Sequence, residues 1–413
     1  MSEAFLSSLQ QHYEKGLAAD PALELVKKKA WDHFLEMGLP EKKDEAFRYV
    51  PLAKLYDFPI QPSPLSLTKE EVLAYIYPEC RQSFLVFING SFAPELSVVP
   101  KKAVALPLAD AMRSYGPLLQ GRFSKTLKEE SDPFTVLNLA AHQKGVFFYL
   151  PPNQKLEAPI QALFLSSGGY APARIHLFLG AGAAMQWVST IAGSGFHQTV
   201  IDTTLDEGAS LEQIEVSDDS KGWALHHGRA SLKRDSQFKH LAMTVGERIT
   251  RQNLRLTLAG ENSNALLQGL WRLRQKTQAH THVVVEHAAP SARSLQKYKG
   301  VLSEIAQSSF EGKIFVRPEA QKTEAYQLNN NLLLSEGAIA YAKPNLEIFA
   351  DDVKASHGAT VAQIDEEHLF YLRSRGLTSE QASRLLIRGF MQEMIDQIPI
   401  ASIRQEVERR VFV

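Results

Sequence analysis

The segment from His280 to His287 carries three histidines and a glutamate, in the order His-Thr-His-Val-Val-Val-Glu-His. Residues two positions apart in a β-strand lie on the same face, so His280 and His282 are placed to bind one metal ion, with Glu286 or His287 nearby if the strand turns. Histidines on such a face also form hydrogen-bonded ladders or subunit contacts. The pattern favours this structural interpretation over metal binding.

A single histidine, His357, lies in the segment Ser-His-Gly-Ala-Thr, shortly after the acidic pair Asp351 and Asp352. It lies at the junction between β-like and helical sequence. Glycine and small side chains at such a junction let a ligand or a second chain approach the backbone. The pattern alone favours a structural role for His357. The adjacent pair His226 and His227 is a weaker candidate, because its members point to opposite faces of any strand.

Other catalytic motifs are absent from the sequence. Gly193-Ser-Gly195 does not have the spacing of a nucleophile elbow, and Gly180-Ala-Gly182 lacks the third glycine of a dinucleotide-binding turn. The single cysteine, Cys80, cannot form an intrachain disulfide, a redox pair or a cysteine-rich metal site. Any metal chemistry must therefore use histidine and carboxylate, or cysteines of another chain, and any nucleotide belongs to a partner.

The composition of the 413 residues is that of a globular protein, with 44% hydrophobic residues, 22% charged residues and a net charge of -1. This balance, without a basic block, predicts that nucleic acid is not a partner. The first residues lack the pattern of a secretory signal, and no run reaches the ~18 apolar residues of a membrane span. We therefore expect a cytoplasmic protein with no membrane partner.

The apolar pattern divides the chain into three regions. Residues 1–82 are helical, 83–355 are β-like with a helical insertion near 115–142, and 356–413 are helical again. Turn residues in the central region recur at steps of about 26 residues or twice that, which favours a β-solenoid over a sandwich because each coil must stack on the next. These turns are Gly182-Ala183, Gly208-Ala209, Asp235-Ser236, Gly260-Glu261, Gly312 and Gly337-Ala338.

Capping residues predict the C-terminal helices. Asp365 is suited to begin a helix that Gly376 ends in a left-handed conformation. Thr378 with Gln381 has the pattern of a capping box for a second helix, and a third, charged helix is expected after Pro399.

The C-terminal third resembles the SufB/SufD family of the SUF iron–sulfur cluster assembly system, and within it the SufD branch. The resemblance is dense from about 280 to 395, in the segments 288–302, 310–316, 320–327, 331–335 and 346–353. Its closing signature is Ser356-His-Gly-Ala-Thr360 followed by Leu369-Phe-Tyr-Leu-Arg-Ser-Arg-Gly376. It implies a mainly β protein, a right-handed parallel β-helix core flanked by N-terminal and C-terminal helical regions, in agreement with the turn spacing.

The resemblance also implies a non-enzymatic scaffold. Family members pair with the paralogue SufB through their β-helices and bind the ATPase SufC through their C-terminal helices, and the complex builds a nascent cluster. We therefore expect no tightly bound cofactor, a transient iron or nascent cluster at the partner interface, and a possible homodimer of the isolated chain. The residues that correspond to the SufC contact are Leu369, Phe370, Tyr371, Arg375, Gly376, Leu385 and Phe390.

His357 matches the family's histidine at the SufB interface, where it is a proposed ligand for iron or the nascent cluster, with Asp351 or Asp352 as further oxygen ligands or supports. Many family members have cysteine where this chain has Ala355, so the sulfur ligands are expected from the partner. Two other functions remain open from the sequence. One is a β-solenoid enzyme acting on a polymer, and the other is an interaction protein with no metal site.

Overall fold

The structure, a computed structural model, describes residues 2–217, 221–246 and 248–412. Its centre is a parallel β-helix of about seven turns, in which each turn contributes one strand to each of two sheets. Helices precede the β-helix, interrupt its beginning and follow its end. The predicted fold class, a mainly β protein with a solenoid core between helical regions, is confirmed.

The strands are β1 Phe84–Ile88, β2 Ser91–Phe92, β3 Val104–Pro107, β4 Val146–Leu150, β5 Ile160–Leu165, β6 Tyr170–Leu179, β7 Ala184–Ala192, β8 Gly195–Leu205, β9 Ser210–Ser217, β10 Gly222–Leu232, β11 Gln237–Val245, β12 Ile249–Leu258, β13 Asn264–Leu273, β14 Gln278–His287, β15 Arg293–Leu302, β16 Gln307–Val316, β17 Thr323–Leu333, β18 Ile339–Ile348 and β19 Val353–Ala362. The first sheet has the order β19-β17-β15-β13-β11-β9-β7-β5-β1-β2, and the second has the order β18-β16-β14-β12-β10-β8-β6-β4-β3. Ala184 pairs with Ser210 and Thr323 with Val353, so a coil takes 26 residues near the start and 30 near the end.

One residue in each of six successive coils has a left-handed backbone conformation, at the turn before an odd-numbered strand. Its φ lies between 57° and 67°, and its N–H donates to a carbonyl of the next coil. The six residues are Gly182, Gly208, Asp235, Asn262, Ser291 and Lys322. Glycine, asparagine and aspartate adopt this conformation at the lowest cost, which explains why turn residues recur in the sequence.

The predicted turn at Gly312 is wrong. Gly312 lies in the middle of β16 and faces the interior, in register with the core residue Val283. A Cβ atom at this position would collide with the side-chain amide of Gln327. The glycine therefore allows close packing inside the β-helix and does not form a turn.

The helices are α1 Ser2–Ala19, α2 Glu24–Met37, α3 Leu52–Tyr56, α4 Lys69–Leu73, α5 Leu108–Glu129, α6 Pro133–Ala141, α7 Glu366–Ser374, α8 Ser379–Ile395 and α9 Ala401–Phe412. N-terminal helices cover the outer face of the second sheet, where Phe34 and Phe134 share a core with Phe196. The helices α8 and α9 cover the outer face of the first sheet, where Met391 shares a core with Ile214. None of the described helices is both long and apolar enough to cross a membrane.

Two region boundaries differ from those predicted. The strand β19 continues to Ala362, so the predicted boundary between residues 355 and 356 lies inside it. Its alanines and glycine have low β-propensity, and only pairing with β17 makes the segment a strand. The helical insertion predicted near 115–142 consists of α5 and α6 and begins earlier, at Leu108.

Candidate functional site

The β-helix is open at its C-terminal end. β18 and β19 are the last strands of the two sheets, so each has a free edge. Unpaired backbone N–H and C=O groups along such an edge pair readily with a strand of another chain. Pro344 is tolerated within β18 because the strand is at an edge. The inner face of this last coil carries small residues, namely Ala340, Ala342, Ala355 and Ala359.

His357 lies on the inner face of β19, at this open end. It is in register with Gln327 of β17, and residues in register on parallel strands point to the same side. Gln327 is only 2% exposed, whereas His357 is exposed because no further coil covers it. Within the described parts of the chain, the imidazole of His357 makes no hydrogen bond and no ion pair. Both ring nitrogens are therefore accessible to a partner.

Asp351 and Asp352 lie away from His357, in the turn before β19. The N–H of Asp352 donates to the side chain of Gln321 at 2.9 Å, and its carbonyl accepts from the N–H of Lys322 at 2.6 Å. Asp352 is five positions from His357 along an extended segment, which is roughly 16 Å at 3.3 Å per residue. One metal ion cannot bind both residues in this conformation, so the two aspartates are not part of the proposed site.

The described chain has no thiol near the open end. The position where many family members have cysteine is Ala355, on the same inner face as His357. Cys80 is buried, and burial raises the pKa of its thiol to about 12, so it is neither a thiolate nor accessible at neutral pH. An imidazole is therefore the metal ligand that this end of the β-helix offers.

The three histidines of β14 are held by hydrogen bonds. Their partners, at 2.8 to 3.3 Å, are Ser309 and Gln278 for His280, Asn253 for His282, and Ser294 for His287. Burial lowers the pKa of His280 to about 3 and the pKa values of His282 and His287 to about 4. No group of three or more potential ligands (His, Cys, Asp or Glu) arranged for a metal ion occurs in residues 2–217, 221–246 and 248–412. These observations support the structural interpretation of the three histidines.

A buried charged cluster joins the second sheet to the start of α6. Asp132 accepts from the N–H of Phe134 at 2.9 Å, which caps α6, and also accepts from Arg251 at 2.8 Å and from Asn253. Burial would raise the pKa of Asp132, but Arg251, His227 and Arg229 together outweigh burial and hold this pKa well below its usual range. Arg251 also lies 4.1 Å from the ring centroid of Phe47. The cluster fixes the N-terminal helices on the β-helix.

A second buried cluster surrounds Glu215 inside the β-helix. Its carboxylate accepts from Gln252 at 2.7 Å and from Gln213 at 2.8 Å, and it lies 3.3 Å from Nε2 of His240. Burial would raise the pKa of Glu215, but the neighbouring His240 and His226 together lower it to about 2. The interior of the β-helix therefore holds an ionised, fully hydrogen-bonded carboxylate.

His226 and His227 are divided between these two clusters. Nδ1 of His226 lies 4.0 Å from Glu215 inside the β-helix, and Nδ1 of His227 lies 3.9 Å from Asp132 outside it. The prediction that they point to opposite faces is confirmed. Both are on β10, which is four strands from β18 in the second sheet, so neither belongs to the open end.

The C-terminal helices present exposed apolar side chains. No residue of α7 is buried, and Phe370 and Tyr371 are 72% and 56% exposed. Leu385 of α8 is 50% exposed. Exposed aromatic side chains such as those of Phe370 and Tyr371 are enriched at protein interfaces.

The remaining predicted contact residues have different environments. Leu369 is half-buried, and the guanidinium of Arg375 lies 5.2 Å from the ring centroid of Tyr371. Gly376 ends α7 with a φ of 92°, as predicted. Phe390 is partly buried in the core between α8 and the first sheet, where Nζ of Lys299 lies 4.8 Å from its ring centroid. Phe390 therefore positions α8 on the β-helix.

The fold defines the class of protein: a parallel β-helix flanked by helical regions, with free strand edges at its C-terminal end. Comparisons with known proteins give the family. The family model described as the SUF system FeS cluster assembly SufBD core domain matches residues 164–390, and the SufBD protein N-terminal region matches residues 5–162. The chain belongs to the SufBD family of the SUF iron–sulfur cluster assembly system.

Individual relatives agree with this family. An iron–sulfur cluster assembly SufBD family protein of Synechocystis is 32% identical, over 98% of this chain and 94% of the relative. The iron–sulfur cluster assembly protein SufD of Escherichia coli is 28% identical, over 91% of this chain and 89% of its own. SufD of Bacillus subtilis is also 28% identical, over 75% of this chain and 74% of its own. All three are named as assembly proteins, and none as an enzyme acting on a polymer.

Proposed function

We propose that this chain is a non-enzymatic scaffold subunit of a cytoplasmic SUF assembly complex. In this role it pairs with a SufB-like paralogue and docks a SufC-like ATPase. Iron or a nascent iron–sulfur cluster is bound transiently between the chain and its paralogue, as cargo. The observation that carries the proposal is the open end of the β-helix, where free strand edges occur together with His357, which has no partner among the described residues.

The edges of β18 and β19 support pairing with a second β-helix. A paralogue with the same repeat offers strands of matching length, and main-chain hydrogen bonds between the two edges then continue both sheets. The small inner-face residues of the last coil let the two ends approach closely. The same edges can pair with a second copy of this chain when the paralogue is absent, which accounts for a possible homodimer of the isolated protein.

His357 supports a shared ligand set. Imidazole nitrogen is a borderline ligand for iron, and thiolate is the soft ligand typical of clusters. This chain offers imidazole and no accessible thiol at its open end. We therefore propose that the paralogue contributes the sulfur ligands. A site completed by a single imidazole from this side also releases its cargo more readily than an all-thiolate site.

The exposed face of α7 and α8 supports docking of the ATPase. α7 begins at Glu366, four residues after β19 ends at Ala362. A movement of α7 imposed by a nucleotide-dependent partner therefore acts directly on the edge strand that carries His357. We propose that closure of the ATPase dimer opens or shears the pairing of the two β-helices and exposes the assembly site.

Lysines on the open end are expected to prevent pairing with the paralogue. Ala359 and Val361 lie on the inner face of β19 and are exposed, Val361 by 46%, so Ala359→Lys with Val361→Lys leaves the fold unchanged. Charges at the edge oppose strand pairing. Co-purification of the SufB-like paralogue with the doubly substituted chain should fall at least tenfold.

The matched control for this experiment is Tyr326→Lys. Tyr326 is 37% exposed on the outer face of the preceding strand of the same sheet, away from the free edge. This variant should retain the paralogue at the level of the unmodified chain. Equal retention by the Ala359 and Val361 variant would show that the two proteins pair through another surface.

A further inference from the structure

Three side chains on the inner face of successive strands form one column that ends at His357. Gln296 of β15 is in register with Gln327 of β17, and Gln327 is in register with His357 of β19. Neighbouring strands are about 4.8 Å apart, so side chains in such a column are within hydrogen-bonding reach of each other. The two glutamines are buried, at 0% and 2% exposure, and His357 closes the column at the surface.

The first link of this column is already formed. Nε2 of Gln327 donates to Oε1 of Gln296 at 2.9 Å. This bond uses the amide nitrogen of Gln327 and leaves its oxygen, Oε1, buried without a partner among the described residues. Buried amide oxygens are almost always hydrogen-bonded, so the orphaned Oε1 indicates a missing donor.

The next residue in the column is the one that can supply this donor. A neutral imidazole has one ring N–H, and His357 has no partner of its own within the described chain. Another buried amide of the same strand, Asn329, has both its oxygen and its nitrogen paired, unlike Gln327. Its oxygen accepts from Asn331 at 2.7 Å and its nitrogen donates to the Tyr298 carbonyl at 3.4 Å, so its hydrogen bonds remain inside the β-helix.

We propose that Gln327 is the positioning residue of His357: its Oε1 accepts the ring N–H, which fixes the tautomer and directs the other, unprotonated nitrogen out of the open end. Histidines that bind metals usually donate their second ring N–H to such an acceptor, and this contact fixes the ring orientation. Gln296 holds Gln327 in turn. The inference rests on the proposed function, because it assigns Gln327 a role in presenting His357 to iron or the nascent cluster.

The test uses the full chain with its histidines labelled with ¹⁵N, and the same chain in complex with its SufB-like and SufC-like partners. The imidazole ¹⁵N signals of His357, assigned by their loss in His357→Ala, should show one predominant tautomer. Gln327→Met removes the acceptor with little change in volume, and the signals should shift toward a mixture of tautomers. The affinity of the complex for iron, measured by titration with ferrous iron alone, should fall roughly tenfold, which is the usual effect of losing such a contact.

Two further variants separate positioning from packing. Gln327→Glu keeps an acceptor, and Gln296 can turn its unpaired Nε2 toward the new carboxylate, so the single tautomer and the iron affinity should be retained. Asn329→Leu removes an equally buried amide and should change neither. The inference is overturned if Gln327→Met leaves the tautomer and the iron affinity unchanged, if Gln327→Glu behaves as Gln327→Met, or if Asn329→Leu has the same effect.

The same measurements distinguish a failure of the role of Gln327 from a failure of the ligand role of His357. If His357→Ala lowers iron retention but Gln327→Met does not, the ligand role of His357 stands and only the role of Gln327 is lost. If His357→Ala leaves iron retention unchanged, the proposed ligand role fails, whatever the tautomer measurement shows.

Discussion

A chain with Phe370→Asp and Leu385→Asp is expected to lose the SufC-like ATPase while it retains the SufB-like paralogue. The two side chains are 72% and 50% exposed on α7 and α8, and no described residue covers them. A side chain that acts as a hot spot at an interface costs about 2–4 kcal/mol of binding free energy when it is replaced. Replacing these two side chains with carboxylates should weaken ATPase binding by at least about 30-fold, measured as Kd by calorimetry.

The control for this pair is Leu25→Asp. Leu25 is 67% exposed on α2, in the N-terminal helical layer, so it tests the effect of replacing an exposed leucine with a charge elsewhere on the surface. Its ATPase binding should equal that of the unmodified chain. Undiminished binding by the Phe370 and Leu385 variant would place the ATPase on another surface and remove the proposed link between α7 and the edge strand.

Asp132→Leu is expected to destabilise the chain by about 3–5 kcal/mol. The substitution removes the N-cap of α6 and leaves Arg251, which is 1% exposed, with an uncompensated buried charge. Breaking a buried pair by removing one partner has a large cost because the remaining charge stays desolvated. Urea unfolding followed by tryptophan fluorescence should show a lower midpoint, together with early loss of the N-terminal helices in hydrogen exchange.

Asp365→Ala is the matched control for this stability measurement. Asp365 also caps a helix, accepting from the N–H groups of Glu367 and His368 at 2.8 and 3.1 Å, but it is exposed and neutralises no buried arginine. Its loss should cost about 1 kcal/mol, the usual value for a helix cap. If the two variants unfold alike, the Asp132 cluster does not stabilise the protein beyond capping.

Local features, which depend on residues close together in the sequence, were predictable from it. The Asn89-Gly90 pair forms the hairpin turn between β1 and β2, and Thr378 and Gln381 form a complete capping box. The solenoid was predictable from the spacing of glycine and aspartate turns, although the turn at Gly312 was wrong. Ser291 and Lys322 occupy the same turn position in later coils although serine and lysine seldom adopt a left-handed conformation, because the surrounding coils impose it.

Features that depend on tertiary pairing were not predictable. Asp132 and Arg251 are 119 residues apart and meet only because α6 lies across the second sheet. The strand that carries His357 has weak β-propensity, so its extent depends on pairing with β17. The aspartates are separated from His357 because that strand is extended. The unpaired amide oxygen of Gln327 is evident only from the register of three strands.

The role of His357 is tested by co-purification of this chain with its SufB-like and SufC-like partners, with iron and sulfide quantified before and after His357→Ala. We expect an intact three-component complex, because His357 is exposed and makes no contact with the described residues that the fold requires. The iron and sulfide content of this complex should fall at least about tenfold in the variant. An intact complex with unchanged iron and sulfide would contradict the claim that His357 holds the cargo at the open end of the β-helix.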